Sequence, residues 1–148
     1  MEKAPINTLQ DEIVEEFNLF EDDRNAKLEY LIELGEQLPE LEEQLKTDDR
    51  LIKGCQSKVW LVSQRQDDRL QYHADSNTAI TKGLIALLIR VLSEQKIGDI
   101  ARAELYFIRD IGMNTFIGSQ RSNGFANMIN QMKLEAAMAY RELENKEK

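Results

Sequence analysis

The stretch "TAITKGLIALLIRVL", from Thr78 to Leu92, constrains the fold more than any other part of the chain. Ile80, Leu84, Ile85, Leu87, Leu88, Ile89, Val91 and Leu92 leave a helix here with almost no polar face, so it must be central and covered on most sides. Its longest apolar run, Gly83 to Ile89, ends at Arg90 and falls far short of the roughly 20 residues of a membrane span. The rest of the chain therefore has to supply the cover. At 148 residues, with 42% hydrophobic residues and only two prolines, it is expected to do so as one ordered domain, 1–148, with the N-terminal few residues and 141–148 frayed.

Elements that could cover the helix are readable on both sides of it. Upstream, Leu9, Ile13, Phe17 and Phe20 recur at helical spacing, with Thr8 and Asp11 placed for an approximate capping box. Leu28, Leu31, Ile32 and Leu34 mark a second helix, with Gly35 placed where a left-handed residue would end it. Leu38 to Asp49 is acidic, contains Pro39 and is expected to be a surface connection. Val59 to Val62 favour a strand, with Val59 and Trp60 in the sheet core, "RQDDR" supplies a turn, and Leu70, Tyr72 and Ala74 alternate with Gln71 and His73 as its partner. A short strand at Arg50 to Ile52 would complete three. Downstream, a short helix is expected around Leu105 to Ile111, stopped by Gly112. After "GSQRSNG" a long helix carries Phe125, Met128, Ile129, Met132 and Tyr140. The expectation is an α+β fold, a small antiparallel sheet packed with helices in the order α-α-β-β-β-α-α-α.

Charge and cysteine usage narrow the function. A net charge of −8 disfavours a nucleic-acid surface, which needs a basic stripe, and disfavours binding to anionic lipid. One cysteine forms no internal disulfide, and the start "MEKAPINTLQ" has no apolar segment of a secretory signal, so a cytoplasmic location is expected. No Gly-rich phosphate loop is present, and one cysteine with one histidine makes no thiolate–imidazole zinc site. His73 occupies a polar position of its strand, pointing to solvent. A Cys55–His73 catalytic pair would require the fold to bring the two together.

Attention then falls on "IKGCQSKVWL", where Cys55 lies between Gly54 and Gln56, with Ser57 and the lysines Lys53 and Lys58 close by. These neighbours are not the apolar company of a packed cysteine. Gly54 permits backbone angles that other residues resist, and nearby lysines would favour the thiolate. An ordinary thiol is about 3% ionised at pH 7, and one unit of depression raises that to about 24%. The setting is that of a displayed, reactive thiol, with an inert packed cysteine or a free-standing cysteine hydrolase or thiol peroxidase as the alternatives.

"LIKGCQSKVWL", "ADSNTAITKGLIALL", "SQRSNG" and "YLIELGEQLPEL" together resemble the SufE family of sulfur acceptors in iron–sulfur cluster assembly. The resemblance implies the sandwich shared with IscU-type scaffolds, with Cys55 at the tip of a loop before a strand. It implies that Cys55 accepts persulfide sulfur from a SufS-type cysteine desulfurase, stimulates that enzyme, and passes the sulfur to a SufB-containing scaffold. The chain itself would then be a sulfur-transfer partner with no cofactor, the pyridoxal phosphate belonging to the desulfurase. The family arginine falls on Arg121, expected either to support the loop or an anionic sulfur, or to serve as a cap or surface ion pair. Asp75 is expected to cap the following helix. The chain departs from the family pattern at Asn77, which follows Asp75-Ser76 where aspartate is usual, and at Ile117 to Gln120 before Arg121. A homodimer is left open.

Overall fold

The computed structural model describes residues 3–147. Helix α1 spans Ile6–Asn18 and α2 spans Arg24–Glu36; after two short 3-10 turns, Glu43–Leu45 and Asp48–Arg50, strands β1 (Val59–Gln66) and β2 (Arg69–Ser76) form a hairpin. Helix α3 follows at Ala79–Leu92, then β3 (Gln95–Lys96), α4 (Ile97–Arg102), α5 (Phe107–Asp110), α6 (Asn114–Ile117) and the long α7 (Ser119–Glu147). The fold is α+β, with one antiparallel three-stranded sheet in the order β1-β2-β3.

Helix α3 is central, as its composition requires: Leu84, Leu87, Leu88, Val91 and Leu92 are all buried to 1% exposure or less. It crosses α2 at unusually short range. A Cβ on Gly83 would lie 2.3 Å from the Leu31 carbonyl oxygen, and one on Gly35 would lie 2.5 Å from the Gly83 nitrogen. Gly35 is therefore a helical contact residue, not the left-handed terminator expected of it; α2 continues through it to Glu36. Helix α1 begins before Thr8, with Pro5 in the N-cap position and no side-chain cap. The expected capping box does not form, and Asp11 instead accepts a hydrogen bond from the Tyr106 hydroxyl at 2.6 Å.

The hairpin has the register its alternation predicts, Val59 opposite Ser76 through Gln66 opposite Arg69. Leu70, Tyr72 and Ala74 are buried and His73 is exposed. Trp60 departs from expectation: it is half-buried on the other face from buried Val59, with the Lys46 ammonium 5.5 Å from its ring centre. The third strand also lies elsewhere. The 3-10 turn at Asp48–Arg50 leaves only Leu51 to bridge Trp60, while β3 pairs with β2 after α3. Glu94, with φ 65°, reverses the chain, and its N–H reaches the Leu70 carbonyl at 2.8 Å. The strand order in sequence is thus β-β-α-β.

In the acidic connection Leu41 is buried, so this segment is more than surface. Helix α7 begins at Ser119 and takes "SQRSNG" into its first turns, where a loop was expected; Gly118, at φ 86°, separates it from α6. Phe125, Met128, Met132 and Ala136 give α7 its buried face, whereas Tyr140 is 40% exposed. The helix continues to Glu147 through the tail expected to fray; the remainder of that expectation, at Lys148, and part of the N-terminal one, at Met1 and Glu2, lie outside the described residues.

Candidate functional site

Between the 3-10 turn at Asp48–Arg50 and β1 the chain runs as an irregular loop, and Cys55 sits within it, half-buried. Gly54, at φ 83°, makes the turn that presents it. That backbone region is open to glycine at no steric cost. The thiol borders a cleft of about 440 Å³, lined also by Gln56, Ser57, Thr81, Arg121 and Met128. Its Sγ donates to the Gly124 carbonyl oxygen at 3.4 Å. Gly124 lets the loop approach α7: a Cβ there would stand 3.7 Å from both Cα and Sγ of Cys55.

The electrostatics run against the expectation from the flanking lysines. Burial pushes the Cys55 thiol above its ordinary value, and no charge offsets it. Lys53 and Lys58 are both exposed. On a turning loop, an exposed lysine two or three positions away holds its charge in solvent. Burial thus favours the protonated thiol over the thiolate in the resting loop.

The two ends of the loop are tied differently. On the downstream side, the Asn77 carboxamide accepts from the Lys58 N–H at 3.0 Å, and the Asn77 N–H returns to the Lys58 carbonyl at 3.4 Å. Asparagine supplies the same acceptor oxygen here that an aspartate would. The Ser57 hydroxyl lies 2.9 Å from that of Thr78, which donates to Thr81 at 2.9 Å; Thr81 donates back to Ser57 at 3.3 Å. On the upstream side, the Asn127 side chain donates to the Gly54 carbonyl at 3.0 Å.

Asp75 does not cap α3, whose N-cap is Thr78 without a side-chain bond. It is buried, accepting from the N–H groups of Leu41 at 3.1 Å and Ser76 at 2.8 Å. Lys46 and Lys82 lie 3.4 and 3.8 Å from its oxygens. Burial alone would raise its pKa, but the two backbone bonds and the two lysines outweigh it and hold the carboxyl below its usual range. Asp75 thus pins the connection before the cysteine loop to the end of β2.

Arg121 is exposed at the cleft, in the first turn of α7, and donates to the Ile117 carbonyl at 3.1 Å. Among the described residues no ion pair to Arg121 is found. His73 borders a different cleft, with Leu41, Tyr72 and Arg90, so the fold does not place it with Cys55. Thr78, Thr81, Gly124 and Asn127 are not marked as site residues by the sequence, although the first three lie within the segments that resemble the family. Only the polar character of "SNTAIT" hinted at the first two; the others belong to a distant helix.

The result is a small α+β fold that presents one cysteine thiol at the edge of a cleft formed by its own loop and the helices α2, α3 and α7. Comparison with known proteins then places the chain: it belongs to the SufE family, whose model, described as an Fe–S metabolism associated domain, matches residues 11–136. It is 34% identical over 134 residues to an uncharacterized SufE-like protein of Rhizobium meliloti, covering 87% of this chain and 95% of that one. It is 34% identical over 135 residues to SufE-like protein 1, chloroplastic/mitochondrial, of Arabidopsis thaliana, covering 89% of this chain but 36% of the plant protein. The solution structure of a hypothetical protein from Thermus thermophilus has the same fold, with a TM-score of 0.74 at 13% identity, over 90% of this chain and 96% of that one. A role in iron–sulfur metabolism follows from the family, and the α+β class expected from the sequence is the one found. Among the described residues no helix is long and apolar enough to cross a membrane.

Proposed function

We propose that this chain is a sulfur carrier: Cys55 accepts sulfur from the persulfide of a SufS-type cysteine desulfurase and yields it to a SufB-containing scaffold. The observation that carries the reading is the disposition of the thiol. Its Sγ borders a cleft and hydrogen-bonds to a backbone carbonyl, and the fold sets His73 at a different cleft. A hydrolase or peroxidase would need a base or an orienting charge at that sulfur. Attack on a persulfide needs only an ionised nucleophile, access and an in-line approach.

The exchange balances without an external oxidant. The Cys55 thiolate attacks the outer sulfur of the donor persulfide, a new S–S bond forms, and the donor's own S–S bond breaks. The donor cysteine leaves as a thiolate and takes up the proton that Cys55 gave to solvent. Delivery repeats the step with the scaffold as acceptor. With no second cysteine in the chain, nothing internal can expel the carried sulfur by closing a disulfide.

The raised pKa fits the same cycle. A protonated thiol in a cleft resists oxidation while the protein is free. When a partner draws the loop out, the sulfur leaves the environment that raised its pKa. About five extended residues can span some 17 Å, enough to enter a partner's pocket. Gln56, Ser57 and Arg121 border the place where a terminal sulfur would rest, and Arg121 is the charge available to an anionic persulfide. Lys53, Gly54 and Lys58 serve as loop and contact residues, and Asp75 as the anchor beneath them.

Intact-protein mass spectrometry after incubation with cysteine and a SufS-type desulfurase tests the proposal. The expected result is a gain of one sulfur, reversed by reductant and absent in Cys55→Ser, which folds normally. Equal sulfur uptake by Cys55→Ser would overturn it.

A further inference from the structure

The loop that carries Cys55 is fastened firmly at both ends, by the Ile52 N–H bond to the Val59 carbonyl at 2.9 Å and at Ser57 and Lys58, and lightly between them. Downstream, Ser57 and Lys58 are tied to the β2–α3 connection by the Asn77 pair and the three-hydroxyl ring. Between the ends, residues 53–55 are held to α7 by the Asn127 bond to the Gly54 carbonyl and the Cys55 bond to the Gly124 carbonyl. Gly124 and Asn127 stand three positions apart, on one face of α7. The second of these contacts is a weak thiol donor on a carbonyl. The first is therefore the stronger of the two.

Its geometry is closely matched. A Cβ at Gly54 would lie 2.3 Å from the Asn127 Nδ2, 3.1 Å from its Cγ and 3.7 Å from its Oδ1, so the carboxamide meets the glycine with its nitrogen end while bonding its carbonyl. Asn127 is half-buried and spans 73 positions of sequence to reach the loop.

We infer that Asn127 is the positioning residue of the sulfur-accepting loop, a latch that holds Gly54, and through it Cys55, in the cleft until a partner displaces it. The inference rests on the reading of Cys55 as the acceptor but concerns its access, not its chemistry. Asn127 touches no reacting atom; it acts through Gly54. Breaking the latch leaves the Ile52 and Ser57–Lys58 anchors in place, so residues 53–56 open between them while the hairpin stays intact.

The test is alkylation of Cys55 by iodoacetamide in the full chain, with Asn127→Ala and with Asn127→Leu, which keeps bulk but removes the donor. Both variants are expected to be alkylated about five-fold faster than the parent, the factor a net side-chain hydrogen bond is worth. Amide exchange should quicken at 53–55 and stay unchanged at 57–61 and along α7. Unchanged alkylation in both variants overturns the latch, as does exchange that quickens throughout α7, which would mark Asn127 as a packing residue only. Alkylation needs no sulfur donor, so its outcome is separate from that of the persulfide experiment. A chain that takes up no sulfur yet shows the five-fold rise would lose the carrier reading and keep the latch.

Discussion

Two pairs of glycines bring chain segments into close approach in this protein, and they do so to opposite ends. Gly35 and Gly83 let α2 and α3 meet with backbone against backbone, where an added Cβ would fall as near as 2.3 Å to a carbonyl oxygen. Gly54 and Gly124 let a loop lie on α7, but what meets there is a side chain on one hand and, on the other, the Cα and thiol of Cys55 at an uncrowded 3.7 Å. The first contact cannot open without unpacking the centre of the fold. The second can open with the loss of two hydrogen bonds. Close approach by itself therefore says nothing about rigidity; what matters is whether the partner atoms belong to fixed backbone or to groups that can turn away.

Substitution at these glycines should separate the two kinds of contact. Gly83→Ala is expected to have the largest effect, a loss of about 3 kcal/mol at the upper end of overpacking costs, because a backbone carbonyl cannot step aside. The gain of about 1 kcal/mol from replacing a helical glycine is too small to offset it. Chemical denaturation measures the loss, and a stability equal to the parent's would break the comparison from the packing side.

Gly124→Ala carries the opposite sign. Its Cβ would make ordinary contacts of 3.7–3.9 Å with Cys55, so the helical gain of about 0.5–1 kcal/mol should stand and the melting temperature should rise. A fall would mean that the loop is seated as rigidly as the helix crossing.

The pH dependence sharpens the comparison by the least. Burial raises the Cys55 pKa, so the alkylation rate should reach its half-maximum at a pH above that of an unburied cysteine. For stability the sign follows. The protonated thiol favours the folded state, so its contribution is present in full below the ordinary thiol pKa and is lost as pH rises through the folded value. In Asn127→Ala the alkylation midpoint should move down towards the ordinary value. A midpoint that stays put would show that the released loop keeps its sulfur buried.

Much of the fold was legible because it is local. The β1–β2 hairpin follows from an alternation of Leu70, Tyr72 and Ala74 that any reader of period two can see, and the central place of α3 follows from its lack of a polar face. The third strand was not legible. Gln95–Lys96 is two residues long, carries no periodicity, and exists because Glu94 turns the chain back along β2. Arg50–Ile52 offered itself for that role, but a 3-10 turn leaves only Leu51 to bridge the sheet. Gly35 looked like a helix terminator because glycine after an apolar run usually is one; only the neighbour across the crossing reveals its purpose. At the site, solitude and glycine-flanked polar company pointed to Cys55, while the effect assigned to Lys53 and Lys58 did not follow, since both lysines are exposed and burial sets the direction of the thiol's shift.

The chain's own order of residues decided which elements form and which face of each is apolar, because helix and strand periods are properties of consecutive residues. It also decided that there would be a single thiol and where the backbone could turn to present it. Tertiary structure alone decided how that thiol behaves. Its burial, its bond to Gly124, the seat of Gly54 against Asn127 and the anchoring of Asp75 all join segments distant in sequence. Such contacts arise from how finished elements pack, and no pattern within any one of them encodes the distance between them.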